Sequence, residues 1–348
     1  MIGENINKSG PRVLVAPLDW GLGHATRCIP IIYELIRQGS DAWIGTGQST
    51  KKLLQAEFPQ ANFLELPDYN ITYSKGSSQW AHLLKQGPKA LKNSRQEHRL
   101  LENYIDKYHF DAVISDNRPG LWSKKVHTVY ITHQLNFVTG NTFLDKALHF
   151  AHKKVISHFT ECWVPDDVSH SLSGMLSRGA GVKYCGPLSS LEKKITEKNI
   201  DWLLLLSGPE PQRSLLELRL LEIFQGQNAV LVRGIDDPFV ADHHMAEVRG
   251  IASRKEVEEL ISRSKMVICR AGYSSIMDLS VMQAEAVLVP TPGQAEQEYL
   301  AKLHSEAGVG MVTQNELSFE SINRRSGKLT EIKNNLLVKR ITDLLASL

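Results

Sequence analysis

The sequence predicts an α/β protein made of two Rossmann-like domains with a ligand crevice between them. Three observations predict it. Short apolar runs of strand length recur in both halves, each followed by a small polar turn and then a helical pattern. Glycine turns precede helix starts in both halves, at Gly21-Leu22-Gly23, at Gly208 and at Gly272. The chain has 348 residues, long for a single core, which suggests about two domains.

In the first half, Val13 to Leu18 reads as a buried strand. Ala25 to Gln38 reads as a helix with Ile29, Ile32, Leu35 and Ile36 on one face, stopped by Gly39. Asp41 to Thr46 completes a βαβ unit, and Phe63 to Pro67 is a further strand. Asp68 to Gly87 has no clear period and reads as a long loop over the cleft. Pro88 to Lys107 reads as a helix carrying Lys89, Lys92, Arg95, His98 and Arg99. Such a face is either simply solvated or a patch for anionic lipid or a polyanionic acceptor. Phe110 to Asp116 and Val126 to Thr132 are strands whose ends bring Asp116 and His133 to the crevice edge. Asp145 to His158 is an amphipathic helix expected to pack through Phe150, Val155 and Ile156. Glu161 to Pro165 is the last strand of this half. Val182 to Pro187 reads as a strand entering a turn at a domain crossing, and Leu188 to Asn199 as a charged linker.

The second half opens with a buried strand, Trp202 to Leu206. The turn at Ser207-Gly208-Pro209 leads into a helix through Phe224, with Arg213 placed to pair with a diphosphate. Ala229 to Arg233 is a strand, Arg249 to Ser253 ends another, and Glu256 to Arg263 is helical. His243 and His244 lie in the loop Asp237 to Val248; adjacent histidines point apart and make a poor metal pair. The stretch Met266 to Gly310 organises the rest. Met266 to Cys269 is a strand, Arg270 to Ser275 a tight turn, and Ile276 to Met282 a helix. The first peptide N–H groups of a helix lack internal partners and carry partial positive charge, so this turn suits a phosphate. Gly272 permits close approach, Ser274 and Ser275 add hydroxyls, and Asp278 sits one turn on, where a carboxylate reaches sugar hydroxyls. Ala286 to Pro290, the turn at Gly293 and the helix Gln294 to Ser305 repeat the pattern. Asn334 to Leu348 is an amphipathic terminal helix.

At these residues the chain resembles a known family. Arg270-Ala271-Gly272, the acid at Asp278, Val289-Pro290 and Gln297 resemble the C-terminal signature of nucleotide-sugar glycosyltransferases of the GT-B fold, in particular the N-acetylglucosaminyltransferases that convert lipid I to lipid II. The resemblance implies that Asp278, a Glu in that enzyme, holds the nucleotide ribose and that Gln297 contacts the donor sugar. It implies that peptide groups near Ser253 and Arg254 hold the base edge. Gly23-His24-Ala25-Thr26-Arg27-Cys28 resembles the N-terminal loop of GT-B enzymes and of UDP-sugar hydrolases of pseudaminic acid synthesis; in both groups a histidine here lies near the reacting sugar. A histidine suits proton removal from a hydroxyl or water. The implied architecture is GT-B: an acceptor domain over 11–165, a crossing segment and linker over 166–199, a donor domain over 200–333 and a terminal helix over 334–348 packing back on the body.

Other classes fit less well. Gly21-Leu22-Gly23 begins a dinucleotide-type run, but Thr26 stands in place of its third glycine and no acid follows the second strand. A net charge of +2 makes no case for nucleic acid. No apolar run approaches the roughly 20 residues that cross a bilayer, and Met1 to Gly10 is no signal peptide. Cys28, Cys162, Cys185 and Cys269 form no metal-type spacing and read as buried thiols, which suits a reducing cytoplasm with at most peripheral contact at the inner membrane face. The expected activity is inverting sugar transfer from a nucleoside diphosphate donor, with UDP the implied base, to an unknown acceptor hydroxyl, with no metal and no cofactor. His24 is the expected base. Gly23, Gly208, Arg213, Ser253, Arg254, Arg270, Gly272, Ser274, Ser275, Asp278 and Gln297 are expected at the donor, Asp116 and His133 at the acceptor. A UDP-sugar hydrolase of the same fold and a non-catalytic nucleotide-sugar-binding protein are the alternatives.

Overall fold

Two largely parallel sheets carry the chain. The computed structural model describes residues 10–19, 22–69, 79–235, 247–323, 326–332 and 336–348, the side chains of 49, 79–86 and 88 excepted. The first sheet holds β1 (Arg12–Pro17), β2 (Asp41–Thr46), β3 (Asn62–Glu65), β4 (Ala112–Asp116), β5 (His127–Ile131), β6 (Glu161–Val164) and β7 (Lys183–Tyr184). Their order is β3-β2-β1-β4-β5-β6-β7. The second holds β8 (Ile200–Leu205), β9 (Ala229–Val232), β10 (Glu247–Arg249), β11 (Ser264–Cys269), β12 (Glu285–Leu288) and β13 (Gly310–Met311), in the order β10-β9-β8-β11-β12-β13. A short β14 (Gly327–Lys328) runs antiparallel to β12. Both orders reverse beside their first strand, between β1 and β4 and between β8 and β11. Crevices open at such points, outside the carboxyl ends of the strands.

The helices are α1 (Leu22–Arg37), α2 (Gln48–Glu57), α3 (Gln79–Tyr108), α4 (Thr142–Ile156), α5 (Gln212–Ile223), α6 (Arg254–Arg263), α7 (Tyr273–Met282), α8 (Ala295–Glu306), α9 (Phe319–Asn323) and α10 (Leu336–Ala346). The continuous apolar runs of the central strands follow from cover on both faces. In β1, Val13 and Val15 face the cluster that includes Ile29, Ile32 and Leu35 of α1, while Leu14 and Ala16 face Leu101 and Ile105 of α3. Each fully buried Leu or Ile contributes roughly 1.5–3 kcal/mol. α10 returns to the first lobe: Leu337, Ile341 and Leu344 join the α1 cluster, and Thr342 Oγ1 donates to Gln38 at 3.1 Å.

Several elements differ from the sequence reading. α3 begins at Gln79, well inside the stretch read as a loop; Pro88 suits a first helical turn, which draws the apparent start too late. Residues 70–78 of that stretch lie outside the described residues, as does most of the loop with His243 and His244. α2 is ten residues long and holds Leu53 and Leu54 as its large apolar residues, too few for a helix to be read there. β7 pairs with β6, so the first sheet extends into the segment read as a crossing. Phe150 does not pack: it is 73% exposed and Phe143 83%, since α4 turns its aromatic side outward. His98 leaves the basic face of α3 and stacks on Trp122 at 4.0 Å. All four cysteines are buried and free, as expected. No described helix is long and apolar enough to cross a membrane.

Candidate active site

The first-lobe part of the site is set by β4 ending beside β1, with Asp116 in register with Pro17. Asp116 is fully buried. His24 and Arg27, three residues apart in the first turns of α1, lie on one helix side and both reach it. His24 Nδ1 is 2.8 Å from Asp116 Oδ2; Arg27 Nε donates to Oδ2 at 2.8 Å, and its Nη2 to Oδ1. Burial alone would raise the Asp116 pKa, but the Arg27 guanidinium and the His24 imidazole outweigh it and hold the carboxyl at about 2. Asp116 is therefore an anion that only accepts. His24 Nδ1 lies 2.8 Å from both Asp116 Oδ2 and Arg27 Nη2; with its proton directed at the carboxylate, Nε2 keeps the lone pair for a proton. Burial, and then the adjacent Arg27 charge, push the His24 pKa below the usual 6.5, with Asp116 partly opposing. The imidazole is thus neutral and basic near neutral pH.

The second-lobe part is the turn between β11 and α7. Gly272 is the N-cap of α7, and a Cβ there would meet nothing nearer than Ser275 Oγ at 4.0 Å, so the turn is open to an incoming group. Gly208 follows β8 with φ +102, a backbone that glycine tolerates best. The two lobes meet at their glycine turns. Ser274 Oγ donates to the Gly23 carbonyl at 3.2 Å, which puts His24 one residue from α7. Asp278 accepts from Ser189 Oγ at 2.6 Å; burial lifts its pKa to about 7, against the Ser189 bond.

Other expected residues have different surroundings. Arg213 is held by Glu210 and Glu217, so its charge is already matched. Arg270 is fully buried and, among the described residues, bonds to carbonyl and amide oxygens. Ser253 caps α6 in a capping box with Glu256. Arg254 crosses to Glu57 of α2 at 3.2 Å and to the Ser190 carbonyl at 2.7 Å. Gln297 Oε1 accepts from the Thr291 N–H at 2.9 Å, bracing the turn before α8. His133 is 5% exposed, stacks on Tyr273 at 3.9 Å and sits 2.8 Å from Glu296 Oε1, while Gln134 bonds the other Glu296 oxygen. Sequence reasoning did not find Glu296 and Tyr273 as partners across the lobes, since a contact over 163 residues leaves no local signal. Arg27 and Asp116 were each noted, but nothing in the spacing joined them. Among the described residues, no three His, Cys, Asp or Glu side chains are arranged to hold a metal ion.

Residues 233–340 match the glycosyltransferase family 28 C-terminal domain. Two curated relatives, both UDP-N-acetylglucosamine–N-acetylmuramyl-(pentapeptide) pyrophosphoryl-undecaprenol N-acetylglucosamine transferases, align over 83 residues. The one from Rhizobium johnstonii is 34% identical and the one from Rhizobium leguminosarum bv. trifolii 32%. The aligned stretch is 23% of this chain and only 21% of either relative. Solved structures are similar over nearly the whole chain. The calicheamicin glycosyltransferase CalG4 has a TM-score of 0.60 at 13% identity, covering 97% of this chain and 93% of its own. SsfS6 of Streptomyces sp. SF2575, solved with thymidine diphosphate, has 0.60 at 13%, covering 97% and 96%. MurG of Acinetobacter baumannii has 0.54 at 13%, covering 97% and 95%. Such identities establish the fold alone. The chain has the GT-B fold, and over residues 233–340 it is similar to the C-terminal domain of glycosyltransferase family 28.

Proposed function

We propose that this protein is an inverting, metal-independent glycosyltransferase that moves a sugar from a UDP-sugar to an acceptor hydroxyl. The observation that carries the reading is the His24–Asp116 pair held against the α7 turn by the Gly23–Ser274 contact. The acceptor oxygen attacks the anomeric carbon from the side opposite the diphosphate. Its proton passes to His24 Nε2. The bond from that carbon to the diphosphate oxygen breaks, and its electron pair stays on the departing UDP. Asp116 stabilises the imidazolium that forms. The open helix starts at Gly272 to Ser275 and after Gly208 face the charge that develops on the leaving group, without reorganising. Asp278 is assigned to the ribose hydroxyls.

We assign peripheral contact with anionic lipid to the outer face of the first lobe. Phe143 and Phe150 project there beside exposed Lys146, Lys153 and Lys154. Exposed Lys92, Arg95 and Arg99 line a groove on neighbouring α3. Aromatic and cationic side chains together suit a headgroup layer.

Nucleotide sugars are screened by thermal shift, and UDP release is then followed with and without an acceptor panel. Acceptor-dependent release abolished by His24→Ala supports transfer. Fast release from donor alone would instead make the protein a hydrolase, and binding without turnover would make it a sensor.

A further inference from the structure

Among the described residues, five arginines are almost fully buried: Arg27, Arg118, Arg213, Arg233 and Arg270. Four have a carboxylate in contact. Arg27 has Asp116, Arg118 has Asp19 and Glu97, Arg213 has Glu210 and Glu217, and Arg233 has Glu217. Arg270 differs. Its Nη2 donates to the Gln212 carbonyl at 2.6 Å and to Gln314 Oε1 at 2.7 Å; its Nη1 reaches the Val289 and Pro290 carbonyls at 3.4 and 3.3 Å. All these acceptors are neutral, and no described carboxylate lies within ion-pair range. A cation taken from water without a counter-ion is costly, and chains seldom keep one. Burial drives the Arg270 pKa down to about 10, with no acid opposing it.

Its position explains why the charge is kept. Arg270 directly follows β11, two residues before the Gly272 cap, and its side chain reaches the first residue of α5. It therefore connects the two helix starts at the switch point of the second sheet. We propose that the missing counter-ion of Arg270 is the diphosphate of the donor, drawn through space by a fixed guanidinium while the two helix starts make the contacts. Arg270 is then a positioning and charge-bearing residue that the free protein retains at a cost in stability. This rests on the donor reading above.

The test compares wild type with Arg270→Met and Arg270→Lys. Calorimetry measures binding of inorganic pyrophosphate, UDP and uridine, and melting is followed without ligand. Arg270→Met is expected to melt no lower than wild type. It loses roughly ten- to a hundredfold in affinity for UDP and pyrophosphate, as one unscreened charge implies, and none for uridine. Arg270→Lys keeps the preference for UDP over uridine. Unchanged UDP affinity in Arg270→Met overturns the proposal. So does a parallel fall for UDP and uridine with a lower melting point, the signature of a mere brace. Should Arg270→Met not fold, Arg270→Lys decides: the forked bonds are lost but the charge stays, so a lost UDP preference overturns it. Wild type that binds UDP no more tightly than uridine defeats the donor reading itself, which a change confined to the variants does not.

Discussion

His24 and Asp116 lie 92 residues apart in sequence and 2.8 Å apart in space, with Arg27 bonded to the same carboxylate. With Nδ1 protonated toward Asp116, Nε2 is the free ring nitrogen. Asp116→Asn removes the anion that orients the ring and is expected to lower kcat by about 10²–10⁴-fold, with His24→Ala at least as severe. The pH profile carries the sign. Because the His24 pKa is lowered, kcat/KM should rise with pH and level off with an apparent pKa below 6.5. Asp116 opposes that lowering, so Asp116→Asn should move the limb further down. Steady-state rates across pH decide both.

Gly23 meets Ser274 where the lobes touch. A Cβ added there would lie 2.6 Å from Ser274 Oγ but 3.4 Å from Ser274 Cβ. Gly23→Ala should therefore push the lobes apart and cost about tenfold in kcat/KM, since small displacements of reacting groups are expensive. Adding Ser274→Ala removes the clashing hydroxyl and should recover most of the loss. A double variant no better than Gly23→Ala alone would refute this account.

Asp278 links stability to pH. Its folded pKa, about 7, lies above the ordinary carboxylate value of 3.8, so the folded state binds the proton more tightly than the unfolded. Its stabilising contribution is full below the unfolded value and is lost as pH rises through 7. The span is roughly 4 kcal/mol. Chemical denaturation from pH 4 to 8 should show this decline in wild type and a flatter profile in Asp278→Asn. A nucleotide ribose that pairs with the carboxylate would reduce the slope.

The lipid-facing assignment predicts that Phe143→Ser with Phe150→Ser abolishes sedimentation with vesicles containing anionic phospholipid and leaves melting unchanged, because both rings are mostly exposed. Retained sedimentation would reject it.

Much of the fold was legible because each central strand is an apolar run and several turns before helices carry glycine, as at Val13–Leu18 and Gly272. Those signals are local. What escaped is of two kinds. Short helices with few large apolar residues, such as α2, leave little stripe to read. Pairings such as His133 with Glu296, or Asp116 with His24 and Arg27, arise only when distant strand ends are brought to one crevice. Charge matching was legible in part: Arg213 is neutralised by Glu210 and Glu217, three and four residues away, whereas Arg270 has no acid at such a spacing.

α10 follows the second sheet in sequence yet buries Leu337, Ile341 and Leu344 against α1. The chain therefore leaves the first lobe after β7 and has returned to it at α10. The lobes are thus joined by the packing of α10 as well as by the segment after β7. Trimming residues 336–348 would strip that packing and bare the apolar side of α1 that Leu337, Ile341 and Leu344 cover.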